Sequence, residues 1–175
     1  CEGGSLAVPG GAQAAAAISA HVGTHGGDYT LVVTTRDWHV HPGDHFAAAG
    51  TAPDYRRTWP PHCVAGTPGA AYHPGLRITP DVEVLKGRDR AAYSGFEGHD
   101  SGGRTLEQVL RDAGVGSVDV CGIATEFCVR ETALDARRNG FDTRVLTRLC
   151  AGLGEDTSAA ALRDMTSAGV RTDPG

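Results

Sequence analysis

A chain of 175 residues with 40% hydrophobic content can bury one full core and is too apolar to stay disordered. Its 16 basic and 21 acidic residues give a net charge of −5, with no basic block to hold nucleic acid. No apolar run approaches the roughly 20 residues a bilayer span needs, so a membrane partner is not expected.

Five cysteines, Cys1, Cys63, Cys121, Cys128 and Cys150, form no CxxC pair. With no secretory signal, this reads as a reduced, cytoplasmic protein rather than a disulfide framework.

The predicted elements alternate. An alanine-rich helix over 11–23 comes first, then a strand over 28–35 (DYTLVVTT). Residues 37–75 are long, irregular and dense in Pro, Gly and His, the kind of segment that is usually functional. A strand is expected at 81–86 and a helix at 106–113. That helix opens on Thr105 with Gln108 three residues on, a capping box. A strand at 115–123, a helix at 126–138, a strand at 143–149 and a helix at 157–168 complete the chain. Gly140 and Gly169 stand where C-terminal glycines belong. This order predicts one α/β domain over 1–175 with a mainly parallel sheet. Every helix but the first has a strand before it; CEGGSLAVPG reads as no strand, so a first strand is expected to be absent from this chain.

Four of the eight histidines lie between positions 39 and 62. If the extended backbone of the strand persists to His39, Asp37 and His39 share one face and Trp38 takes the other. His45 and His62 could fold back onto that face. One carboxylate and three imidazoles suit one divalent transition metal, Zn, Fe or Mn, and the same residues could equally be solvated. His41 shares the parity of His39 but sits directly before Pro42 and reads as a loop residue. His21, His25, His73 and His99 have no partner at useful spacing.

Cys128 falls just past the predicted 115–123 strand, in the first turn of the next helix, with Thr125 as the expected N-cap. Free amides there favour a thiolate and can hold an oxyanion. Cys121 and Cys150 sit in apolar strands and read as core, while Cys63, beside His62, is ambiguous. Lys86 ends its strand and could orient a carboxylate or steady a charge. Trp59 and Tyr93 could line an aromatic pocket or merely pack.

Six ordered blocks carry a resemblance: TTRDWH at 34–39, HPGDHF at 41–46, WPPHCVAGTPG at 59–69, Lys86-Gly87, AYSGFEG at 92–98 and GIATEFCV at 122–129. Together they resemble the bacterial nicotinamidase/pyrazinamidase family of the cysteine hydrolase (isochorismatase-like) superfamily. The resemblance implies a three-layer α/β/α fold around a six-stranded parallel sheet. It implies an amidohydrolase that converts nicotinamide, and also pyrazinamide, to the acid and ammonia through a cysteine thioester. It places the metal on Asp37, His39, His45 and His62, the nucleophile at Cys128 and the catalytic lysine at Lys86. It puts a cis bond at Ile123–Ala124, the oxyanion donors at Ala124 and Cys128, and the substrate against Trp59, Tyr93 and Ile123. The implied partner is a small-molecule amide, with a monomer or a homo-oligomer equally open.

Three departures stand out. The family pattern has an aspartate as general base on the first strand and an aromatic residue soon after it; neither is present here. Three extra residues fall within 47–52, and Phe127 replaces an expected polar or tyrosyl residue. Two rival readings follow: another amide or isochorismate-type hydrolase of the superfamily, or a non-catalytic metal- or ligand-binding fragment. The complete carboxylate–histidine set favours the nicotinamidase reading, because a pyridine nitrogen offers such a metal something to bind.

Overall fold

The computed structural model describes residues 3–173; Cys1 lies outside them. Helix α1 (Gly11–His25) is followed by β1 (Val33–Asp37), β2 (Val82–Lys86), α2 (Leu106–Asp112), β3 (Ser117–Ile123), α3 (Arg130–Arg138), β4 (Asp142–Ala151), α4 (Glu155–Ser167) and the short β5 (Arg171–Thr172). All strand pairings are parallel: β1 with β2, β3 with β4 and β4 with β5.

Alternation along β3 sorts the layers. Val118 and Val120 face buried clusters built from α2, α3 and α4, including Val84, Leu110, Ala133, Phe141, Val145 and Met165. Asp119 points to the opposite face. There it accepts from the Tyr29 hydroxyl at 2.9 Å, Tyr29 in turn meets His21 of α1, and Arg144 binds the same carboxylate. Helix α1 therefore covers one face and the other helices the second, which is the expected three-layer arrangement. No helix among the described residues is long and apolar enough to cross a membrane.

The capping box forms as expected, with Thr105 and Gln108 exchanging both hydrogen bonds at the start of α2. Gly140 and Gly169 take φ of 81° and 83°, the left-handed region that closes a helix. Two expectations need correction. The first strand begins at Val33 rather than 28, and 26–28 form a 3-10 turn instead. The reason is pairing: the register of β1 and β2 begins at Val33 opposite Val82, and just before it the Val32 N–H donates to the Asp81 side chain rather than to a backbone carbonyl. The segment before α3 is also not the first turn of an α-helix. Thr125–Val129 is a wide π-turn with Ala124 at its cap position, and Thr125 makes no cap.

The described strands do not form one continuous six-stranded sheet. They fall into two blocks, β1–β2 and β3–β4–β5. Among the described residues, β1 pairs only with β2 and β3 has no partner but β4. A cavity of about 770 Å³ lies between the blocks, lined by Val33 and Thr35 from β1, Val118 and Val120 from β3, and Ile18 from α1. Among the described residues no strand fills this slot.

Candidate active site and metal centre

The carboxyl ends of β1 and β3 open into that same cavity, and they bring the chemistry together. The ladder of β1 and β2 continues past Asp37: Trp38 N–H donates to the Lys86 carbonyl at 2.9 Å, and His39 forms a bridge with Val64. The extended backbone therefore reaches His39, and Asp37 and His39 share a face. Trp38 takes the other, under the Arg36 guanidinium at 4.7 Å.

His39, His45 and His62 offer ring nitrogens that all lie within 4.8 Å of one another. His39 and His45 are only 1% and 3% exposed. His39 Nδ1 lies 2.6 Å from the Gly87 carbonyl, and His62 Nδ1 lies 2.8 Å from the Pro60 carbonyl. A carbonyl only accepts, so both rings carry their proton on Nδ1 and keep a lone pair on Nε2. His39 Nε2 and His45 Nδ1 are buried with no hydrogen-bond partner. Burial and the neighbouring imidazoles push His45 down to about 4, and burial lowers His62 as well. Clustered imidazoles, two of them with buried nitrogens that have no hydrogen-bond partner, are what a borderline cation requires, so the residues present fit a divalent transition metal.

Asp37 stands at the margin of this trio. One carboxylate oxygen lies 3.9 Å from His39 Nε2, while the other is hydrogen-bonded to Lys86 Nζ. Asp37 also groups with His62 and Cys63. His41 is exposed, and its N–H is held by the Arg88 carbonyl, away from the cluster.

Lys86, 3% exposed, reaches from Asp37 to the nucleophile, with Nζ at 3.4 Å from Cys128 Sγ and 3.2 Å from the Ala92 carbonyl. Burial alone would lower the Lys86 ammonium, but the charges of Cys128 and Asp37 outweigh it and hold it well above its ordinary value. Burial pushes the Cys128 thiol up, and Lys86 offsets only part of that rise. Burial and the Lys86 ammonium thus pull the Cys128 thiol in opposite directions, burial the more strongly. Cys121, Cys63 and Cys150 are pushed up by burial to about 12, 11 and 11. Of the described cysteines, Cys128 is the one whose sulfur the Lys86 ammonium touches.

The Ile123–Ala124 peptide is cis, as the resemblance implied. Ala124 stands at the cap position of the turn that holds Cys128. Trp59, 2% exposed, donates from Nε1 to the Tyr93 hydroxyl at 2.9 Å. Phe127 stacks on Tyr93 at 5.9 Å and meets Trp59 edge-on at 5.0 Å, so the unexpected phenylalanine completes an aromatic wall. Tyr93 also meets His45 edge-on, which joins the wall to the histidine trio.

Sequence reasoning missed two residues here. Gly87, at φ 72°, presses so close to the His39 ring that a Cβ would lie 2.6 Å from Cε1. Its place directly after Lys86 was visible, its function was not. Glu126 holds partners 27 and 31 positions on, which no local pattern could announce.

A half-buried cysteine at a strand-to-helix turn, a lysine in contact with it and a neighbouring histidine trio define a cysteine hydrolase built on an α/β sheet. The isochorismatase domain model matches residues 7–172, and the chain belongs to the isochorismatase family. It is 56% identical over 171 residues to the nicotinamidase/pyrazinamidase of Mycobacterium tuberculosis, covering 97% of this chain and 90% of that one. The pyrazinamidase of Pyrococcus horikoshii, solved in complex with zinc, superposes with a TM-score of 0.82 at 36% identity, covering 100% and 92%. An L. infantum protein solved in complex with nicotinate gives a TM-score of 0.79 at 33% identity, covering 99% and 85%.

Proposed function

We propose that this protein hydrolyses nicotinamide to nicotinate and ammonia, and pyrazinamide to pyrazinoate, by covalent catalysis at Cys128. The observation that carries this reading is a convergence in one cavity. A half-buried thiol 3.4 Å from Lys86, three clustered imidazoles and an aromatic wall all meet there. The identity to the mycobacterial nicotinamidase/pyrazinamidase and the zinc and nicotinate of the two solved relatives support it.

The steps follow from the side chains. Cys128 gives up its proton, and Lys86 steadies the thiolate. The sulfur attacks the amide carbon, and the amides of Ala124 and Cys128 receive the oxyanion. The C–N bond breaks as the amide nitrogen takes up the proton that the thiol gave to the base, ammonia leaves, and a thioester remains. Water cleaves the thioester, releasing the carboxylate and restoring the thiol. Trp59, Tyr93 and Phe127 hold the ring, with Ile123 beside the reacting carbon. His39, His45 and His62 would hold a divalent transition metal, with Asp37 as a fourth ligand, and Zn, Fe and Mn all accept such a set. When bound, it supplies a Lewis-acidic anchor for the ring nitrogen.

The base is the part the described residues do not supply. Asp37, the carboxylate beside Lys86, is already engaged with that ammonium. An aspartate at the end of a strand seated between β1 and β3 would meet Lys86 and Cys128 from the open side of the cavity. The test is ammonia release from both amides by metal-loaded protein, assayed with and without an N-terminal extension that supplies such a strand. Turnover by the extended protein that vanishes in Cys128→Ala supports the reading; no turnover of either amide by the extended protein refutes it.

A further inference from the structure

The turn that carries Cys128 is fastened on one side through Val129, 3% exposed in the core. Its other side reaches out to the loop after β4. Glu126, two residues before the nucleophile, extends its carboxylate across that gap. Oε1 accepts from the Leu153 N–H at 2.8 Å and lies 3.0 Å from the Thr157 hydroxyl. That hydroxyl also lies 3.0 Å from the Gly154 carbonyl, and the charged acceptor is the stronger of the two. Helix α4 begins at Glu155 with no side-chain cap of its own, so Glu126 tends its entry from another element. Oε2 is buried without a partner. It presses against Gly152, where a Cβ would lie 2.5 Å from Oε2 and 2.0 Å from the Ser158 hydroxyl oxygen. Glycine at 152 therefore makes room for the carboxylate.

We propose that Glu126 is a positioning residue, a strap that ties the Cys128 turn to the 152–157 segment and so fixes the sulfur against Lys86. The role is indirect, since Glu126 touches neither Lys86 nor the aromatic wall through any described hydrogen bond. It rests on the assignment of Cys128 as nucleophile. Misplacing a reacting group by about 1 Å can cost on the order of a hundredfold in rate, which is the scale at stake.

Three variants separate the strap from a merely structural role. Glu126→Ala removes the acceptor. Gly152→Ala leaves Glu126 in place but fills the space it occupies. Glu126→Gln keeps one oxygen acceptor without the charge. For Glu126→Ala and Gly152→Ala, kcat for the amide should fall about 10–100-fold while KM stays within about twofold. Glu126→Gln should recover most of that loss. Alkylation of Cys128 by iodoacetamide, followed by mass spectrometry, should slow severalfold in the first two variants as the sulfur drifts from Lys86. Unchanged kcat and alkylation rate in folded Glu126→Ala would overturn the proposal. So would a Glu126→Gln variant as impaired as Glu126→Ala. If protein carrying the strand extension turns over neither amide, the functional reading fails on its own, and the alkylation rates still decide on Glu126.

Discussion

Gly87→Ala would strike the metal centre without altering any ligand. Gly87 sits at φ 72°, in the left-handed region, and a Cβ there would lie 2.6 Å and 2.8 Å from the Cε1 and Nδ1 atoms of His39. Forcing a non-glycine residue into such a conformation costs about 1–3 kcal/mol. The clash also pushes the ring off the Gly87 carbonyl, breaking a 2.6 Å hydrogen bond that fixes its tautomer. Leaving those buried groups unpaired costs roughly another 1–3 kcal/mol. The sum, about 2–6 kcal/mol, is a large part of the roughly 5–15 kcal/mol that holds a domain folded. At about 2–4 °C per kcal/mol for a chain of this size, the melt should drop by about 5–20 °C. Metal affinity should fall about 10–100-fold, as it does when a ligand's supporting partner is lost. The assay pairs a thermal melt with elemental analysis after dialysis. A Gly87→Ala variant with the wild-type melt and full metal occupancy would refute the argument that this glycine orients His39.

His62→Ala and Asp37→Ala should each show marked loss of metal by elemental analysis, whereas His41→Ala should retain it; full occupancy in both ligand variants would sink the assignment. Alkylation of protein carrying the strand extension should block ammonia release, with mass spectrometry finding Cys128 modified first, and normal turnover in Cys128→Ala would contradict its role. Burial holds His45 at about 4 and lowers His62 from 6.5, so an unfolded chain takes up those protons before the folded one does. Metal-free protein should therefore lose stability as pH falls from 6.5 toward about 4, with a shallower loss in His45→Gln, read from melts across that range. Residues 1–175 should melt at lower temperature and less cooperatively than protein extended by an apolar strand, because among the described residues β1 pairs only with β2 and β3 only with β4; identical melts would show that the slot is not a strand site.

The legible parts of this fold were those set by local pattern. The Thr105–Gln108 capping box, the C-terminal glycines and the parity of Asp37 and His39 all rest on residues within a few positions of one another. The start of β1 was not legible, because Tyr29 and Leu31 are good strand residues that lack a partner opposite them. The wide turn at Thr125–Val129 was read as an ordinary helix start, since Thr125 has the composition of a cap but is buried. The site was legible as a set of residue types and not as a set of contacts. That Asp37 would be held by Lys86, that His39 would lean on Gly87, and that Lys86 would touch Cys128 all depend on chain segments far apart in sequence.

The slot between β1 and β3 also bears on how the molecules treat one another. Each of its walls is a row of backbone donors and acceptors beside apolar side chains, which is a template for a strand from any source. Two chains with the slot open can therefore pair edge to edge, and concentration rather than temperature would control the outcome. Aggregates formed this way would be rich in intermolecular parallel pairing, and a short apolar peptide present in excess would compete with their formation by occupying the same edges.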